Sequence, residues 1–446
     1  LVLRADIIIN KLIRIWLTAV LIYILFQYRF VQVSTALNNL DLSTFLNRID
    51  ELTVVVFLPI AFIKLLNRRD QYRLYFVLSI PIIGLISTGM ASGFINGNPL
   101  KITLLGIFSY IKFFLLIFIY AAFFDKRDDM KRLYKIFLII SILLIFIALL
   151  QEVWALYSRY ILDMDPVIPD TYLISYLFNK FGIPDIEEIG NWRFYLYRTP
   201  SMLSHYNLFG LFCLFVLSIY LFAYNKKDPF VIAFLTLGVL LSISRVAYTG
   251  LLFVMLARTF DKMKWRIILS IILISLTLLV VSLKTDTISE AEMQKRGSYL
   301  VRQNKLSFRE YAMFISNQVW KDYPLLGAGP GMFGGDVAYK YNSPIYEEYN
   351  FYEVYREIRS LDQLWPQLLA EMGIIGGMAF AELIITIFVL LLIKERSDAS
   401  GHGIPKALGV YTVVILFYTF GGNLNNPALL YPYCAFLGIC LGSSKK

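Results

Sequence analysis

Twelve apolar runs follow one another along the chain, most of them near the length a helix needs to cross a bilayer. No other feature constrains the fold as much. In lipid the backbone must satisfy its own polar groups, which leaves helices and closed barrels. The runs lie at roughly 13–29, 49–66, 74–92, 102–124, 133–155, 205–224, 229–243, 246–260, 267–283, 374–393, 407–421 and 429–443. They predict an all-α integral membrane protein of about 12 transmembrane helices. The seventh and eighth are short and predict a shallow hairpin. A hydrophobic content of 58%, a charged content of 17% and a mean hydropathy of +0.63 exclude a soluble fold.

A net charge of +10 would suit nucleic acid if it were gathered on one surface. It sits instead in short clusters between apolar runs, such as Lys64, Arg68, Arg69 and Arg73, or Arg258, Lys262, Lys264 and Arg266. The short loops on the other side hold only Arg29, Arg48, Lys101 and Arg245. This asymmetry predicts both termini in the cytoplasm. It also puts two long polar segments outside and argues against a nucleic-acid partner. The chain then divides into 1–155 with five spans, 156–204 as an extracytoplasmic loop and 205–283 with spans six to nine. A large extracytoplasmic loop at 284–373 and three final spans at 374–446 complete it.

The insert from Lys284 to Leu361 is far longer than a connection between helices requires. Ser307 to Lys321 has helical spacing, with Tyr311, Phe314, Ile315, Gln318 and Val319 near one face, and is expected along the membrane surface. Pro324 and Gly327, Gly329 and Gly331 then force turns. Tyr339, Tyr341, Tyr346, Tyr349, Phe351 and Tyr352 either stack on sugar rings or pack the loop itself.

Arg245 lies in Leu241-Ser-Ile-Ser-Arg-Val-Ala-Tyr-Thr-Gly250, between two apolar runs with no polar loop to lift it clear. An arginine near the centre of a membrane helix costs about 2.5–3.5 kcal/mol on insertion scales. It reads as a cation at the floor of an outward-facing cavity, or as a snorkelling side chain. Arg198 precedes the sixth span, and Arg309 opens the helix of the large loop. Guanidinium groups bind phosphate bidentately and stay charged. Three of them on one face suit a dianionic ligand such as a lipid diphosphate.

Candidates for a base are Asp362, His205 and Glu371. Asp362 also fits a helix N-cap, and Glu371 a surface acid or a partner for an arginine. Lys112, inside the fourth span, pairs with a buried acid or faces the cavity. Cys213, Cys434 and Cys440 read as packing residues, and His205 and His402 are too few for a histidine-rich metal site. Asp163-Met-Asp165 reads as a turn before Pro166.

Four stretches in order resemble the O-antigen ligase and Wzy polymerase superfamily. They are Arg198 through Asn207, Ser242-Ile-Ser-Arg-Val-Ala247, Trp320-Lys-Asp-Tyr-Pro-Leu-Leu-Gly-Ala-Gly-Pro-Gly-Met-Phe333 behind Arg309, and Gln367-Leu-Leu-Ala-Glu-Met-Gly-Ile-Ile-Gly376. The resemblance covers roughly residues 190–395 and implies a GT-C-like glycosyltransferase. It implies an undecaprenyl-diphosphate-linked glycan as donor, outside the plasma membrane, with no metal or other cofactor. It maps diphosphate binding onto Arg198, Arg245 and Arg309. Where ligases of this family carry histidine and asparagine, this chain has Asp362 and Gln363. That difference favours a polysaccharide polymerase over a ligase. A transporter without chemistry is the reading from another class. A flippase and a chain-length regulator are the partners such a polymerase would have.

Overall fold

The computed structural model describes residues 2–37, 39–68, 72–124, 127–160, 199–224, 227–259, 308–351, 355–356, 361, 363–397, 403–420, 422 and 426–443. All regular structure among them is α-helical: α1 (Val2–Ala36), α2 (Leu40–Asn47), α3 (Ile49–Leu66), α4 (Tyr72–Ile95), α5 (Leu100–Phe123), α6 (Arg127–Tyr160), α7 (Tyr206–Ala223), α8 (Pro229–Leu241), α9 (Arg245–Thr259), α10 (Phe308–Asp322), α11 (Asp336–Lys340), α12 (Ile345–Glu348), α13 (Leu364–Ser397), α14 (Ile404–Thr419) and α15 (Pro427–Gly442).

Every apolar run of the sequence coincides with a helix except the one near 267–283, which lies outside the described residues. Among the described residues, six helices are long and apolar enough to cross a membrane: α1, α4, α5, α6, α7 and α13. α8, α14 and α15 are shorter apolar helices of 13, 16 and 16 residues. The protein is a multi-pass membrane protein, and its large apolar outer surface on α1, α3 and α6 is what a lipid-facing bundle requires.

Contacts at the two ends show that the helices alternate in direction. At the lower end, Arg14 of α1 bonds Asp129 of α6 at 3.2 Å, and Arg68 donates to the carbonyls of Ala121 and Ala122 at the close of α5. Lys394 of α13 donates to Ser443 O beyond α15 at 2.5 Å. At the upper end, Tyr23 and Gln27 of α1 donate to Leu46 O of α2, and Trp365 Nε1 of α13 donates to Thr419 Oγ1 of α14 at 2.9 Å.

The upper end also carries a module with its own core. Tyr311, Phe314, Ile315 and Val319 of α10 pack with Phe333, Tyr346, Phe351, Tyr355 and Leu361. This corrects one expectation. The apolar face of α10 is covered by protein, not laid on a membrane surface, because the module's aromatic residues fill the space beneath it. The expectation of ring-stacking aromatics changes too. Tyr346 and Phe351 are 0% exposed and belong to this core, while Tyr352 lies outside the described residues.

α13 is broken where the module enters it. Gly373 has φ 61 and ψ −166, so the helical ladder stops there. The N–H groups of Ile374 and Ile375, freed by the break, donate to Pro324 O and Leu325 O at 3.0 and 3.1 Å. In return Ala328 N and Gly329 N donate to Ala370 O and Glu371 O at 2.8 and 2.9 Å. The segment 324–329 therefore threads the break and leaves those backbone groups paired, as non-helical backbone inside a bundle demands. From α4 and the turn after it, Ser92 Oγ and Asn96 Nδ2 donate to Gly327 O and Asn98 Nδ2 to Ala328 O.

Candidate functional site

Arg245 stands at the head of a turn that stops short of the upper surface. α8 has 13 residues and rises about 20 Å, against a hydrocarbon core of about 30 Å. Its end is held by short polar links: Ser242 Oγ donates to Val239 O at 2.6 Å, and Ser244 N to Ser242 Oγ at 3.3 Å. Ser244 then caps α9, its Oγ accepting from Ala247 N at 3.2 Å. Arg245 is thus the first residue of α9, exposed, at a helix end whose first N–H groups favour anions. Gly210 of α7 lets the turn pack closely, since a Cβ there would lie 2.3 Å from Ser242 Oγ. The expected short hairpin is present as α8 and α9.

Thr199 docks beside this turn. Its N–H and Oγ1 both donate to Leu241 O, at 3.4 and 3.1 Å. The following residues lie deep against α6: Ser201 Oγ donates to Leu144 O at 2.7 Å, and Gln151 Nε2 to Ser201 O at 3.0 Å. Leu144 is 16 residues, about 24 Å of helix, from the upper end of α6. From α1, Arg29 donates to the carbonyls of Ser201 and Met202, both at 3.3 Å. Two chain segments that carry predicted arginines therefore meet within the bundle, about 24 Å of helix below the end of α6. Arg198 itself lies outside the described residues.

Arg309 is exposed near the start of α10, on the module at the same end. Asp362 lies outside the described residues, but its predecessor is anchored: Leu361 N donates to Gly334 O at 2.8 Å and its side chain is buried.

His205 caps α7. Its Nδ1 accepts from Asn207 N at 3.2 Å, and its ring packs on Tyr206. A neutral imidazole with Nδ1 as acceptor carries its proton on Nε2 and there donates.

Glu371 is turned inward, 1% exposed. Tyr110 of α5 donates its hydroxyl to Oε2 at 2.7 Å, and Phe333 N donates to Oε1 at 2.9 Å. Gly331 N–H and the Gln367 side chain also bond to it. Such a carboxylate fastens the glycine-rich loop to α13 and α5.

The sequence pointed to Lys112 with two outcomes open, and it takes the first. It pairs with Asp50 and Glu51 at the head of α3, both at 3.2 Å. Neither acid was singled out, although two carboxylates in the first turn of an apolar helix were a visible signal. Asp336, exposed at the head of α11, was also missed; partial desolvation raises its pKa, Lys112 lowers it and Glu51 raises it. A shallow groove lined by Phe253, Phe388, Leu391, Glu395 and Lys406 lies at the lower end.

Residues 230–381 match the sequence model of the O-Antigen ligase family. This stretch, about a third of the chain, is similar to the O-antigen ligase family. It contains the turn at Arg245, the module with Arg309, and α13 through Glu371 and its break. The matched stretch excludes α1 to α7, so Arg29, Lys112 and the acids of α3 lie outside it. No curated protein matches the chain.

Proposed function

We propose that the protein is a membrane glycosyltransferase that polymerises a polysaccharide from lipid-diphosphate-linked units on the extracytoplasmic face of a bacterial plasma membrane. The observation that carries this is the turn where Arg245 heads α9 beside Thr199, the residue after Arg198. A cation at a helix N-terminus within the span suits a diphosphate whose lipid tail stays in the bilayer. The similarity to the O-antigen ligase family supports the same chemistry, since that family acts on lipid-linked glycans.

In the reaction, the acceptor hydroxyl oxygen bonds to the anomeric carbon of the donor sugar as the bond from that carbon to the diphosphate oxygen breaks. The proton of the hydroxyl passes to a base, for which Asp362 is the assignment. Arg198, Arg245 and Arg309 stabilise the charge that develops on the departing undecaprenyl diphosphate. One displacement of this kind inverts the anomeric centre. Catalysis rests on fixed guanidinium charge and calls on no metal.

Asp362 and Gln363, where the family's ligases carry histidine and asparagine, favour the polymerase over a ligase acting on lipid A core. Purified protein incubated with lipid-linked repeat units alone separates the readings. A ladder of lengthened chains on a gel is the polymerase result. Transfer seen only after lipid A core is added would establish the ligase and contradict the polymerase. Movement of the lipid-linked unit across a vesicle membrane without any new glycosidic bond would leave only a transporter.

A further inference from the structure

A second charged group lines the upper half of the bundle, and no step above uses it. Lys112 lies 12 residues below the head of α5, about 18 Å down the helix. It bonds Asp50 Oδ2 and Glu51 Oε1, each at 3.2 Å. Asp336 of α11 is close enough to feel both Lys112 and Glu51. Two carboxylates hold one ammonium directly, and a third, exposed Asp336, lies within its electrostatic reach.

A structural tie between α3 and α5 would need a single acid. The surplus is unfavourable, because like charges repel and each buried ion costs several kcal/mol in lost hydration. The side chain of Asp50 is 3% exposed, and its Oδ1 is buried with no hydrogen-bond donor. An unsatisfied buried acceptor of this kind is unfavourable, the more so when charged. Exposure is graded across the group: the Glu51 side chain is 40% exposed, Lys112 14% and Asp50 3%. The group is open on one side and lacks donors on the other.

The chemistry selects the ligand. A diphosphate is repelled by the excess negative charge. A cation brings no hydrogen-bond donors and meets an ammonium already seated at the centre. A neutral sugar ring offers several O–H donors to the carboxylates and hydroxyl acceptors to Lys112. We infer that Asp50, Glu51, Lys112 and Asp336 form a binding subsite for a neutral, hydroxyl-rich saccharide, the acceptor in the proposed transfer.

The assignment of the saccharide as acceptor rests on the glycosyl-transfer reading; the binding itself does not. α1 links the two charged regions. Tyr23 and Gln27 donate to Leu46 O, just before α3, while Arg29 donates to Ser201 and Met202 beside the arginine turn. Tyr23 and Arg29 are about 9 Å apart along the helix. The two regions have opposite sign, so the donor's diphosphate and the acceptor's sugar cannot exchange places without losing their partners.

The test uses full-length protein in detergent. The probe is the oligosaccharide released by mild acid from the lipid-linked pool of the producing cells, with geranylgeranyl diphosphate as the anionic control. Saturation-transfer NMR is expected to show saccharide binding weakened at least tenfold in Glu51→Gln and in Asp336→Asn, with binding of the control unchanged. Saccharide binding equal to wild type in both folded variants would overturn the inference and leave glycosyl transfer standing. So would a calcium-dependent rise in melting temperature that these variants abolish while saccharide binding persists, which would mark a cation site. Saccharide binding that follows the expected pattern in a protein that forms no glycosidic bond would uphold the subsite and defeat the transfer reading instead.

Discussion

The Tyr110 hydroxyl donates to the Glu371 carboxylate at 2.7 Å and so ties the middle of α5 to α13 just before its break. Both residues are buried, and the second carboxylate oxygen takes Phe333 N at 2.9 Å. Removing the carboxylate strands several buried donors, at about 1–3 kcal/mol each. Glu371→Ala is expected to lower the melting temperature in detergent by several degrees and reduce folded yield. Tyr110→Phe should show the same fault in milder form. A Glu371→Ala protein with wild-type melting behaviour and no activity would instead give Glu371 a chemical role.

Gly373 and Gly327 form the seam where the loop crosses α13. A Cβ on Gly373 would lie 2.4 Å from Leu325 C and O, and one on Gly327 would lie 2.3 Å from Glu371 C. Both residues have positive φ, 61 and 72. Left-handed backbone costs a non-glycine residue about 1–2 kcal/mol before any clash. Gly373→Ala should therefore abolish folded protein or strongly lower its melting temperature. Gly84→Ala is the control, because its Cβ would meet Ala379 Cβ at an ordinary 3.7 Å, and helix propensity predicts a neutral or stabilising change of up to about 1 kcal/mol.

Asp336 gives a pH signature. Desolvation places its pKa above the usual carboxylate range, with Lys112 opposing and Glu51 reinforcing the shift. The ionised form accepts hydrogen bonds, so acceptor KM should fall as pH rises through that elevated pKa. In Asp336→Asn this acid limb should disappear. The stability sign is the reverse: a raised folded pKa means that ionisation weakens the fold as pH rises through the interval between unfolded and folded values. Asp336→Asn should then be neutral or stabilising at pH 7, measured by thermal unfolding; a loss of several degrees would contradict the assignment.

The choice of base separates two variants. With Asp362 as base, Asp362→Asn should slow chain lengthening by about 10²–10⁴-fold with little change in donor affinity. His205→Ala should act mainly on folding, because the imidazole caps α7 through its bond from Asn207 N. Full activity in Asp362→Asn, with a large rate loss in a stably folded His205→Ala, would transfer the role to the histidine.

The spans were readable in the sequence because each apolar run carries its own local signal. The run placed at 49–66 coincides with α3, and the short pair before and after Ser242 became α8 and α9. Arg245 was readable because nothing nearby in sequence could lift it out of the bundle. What stayed hidden depends on pairings between distant residues. Glu371 looked like a surface acid until Tyr110, 261 positions away, and the backbone of the glycine-rich loop enclosed it. The face of α10 had the spacing of a membrane-surface helix, and only the folded loop beneath it supplied a protein partner. Asp50 and Glu51 gained meaning from Lys112, whose mid-span position left its partner unstated.

The central claim is that Arg245 and Arg309, with Arg198, hold the leaving diphosphate. It is tested most directly by the rate of chain lengthening by purified Arg245→Ala and Arg309→Ala on lipid-linked repeat units, each variant checked for wild-type melting behaviour. The account predicts losses of about 10²–10³-fold, the cost of removing a charged group that stabilises a transition state. Wild-type chain length and rate in both folded variants would contradict it.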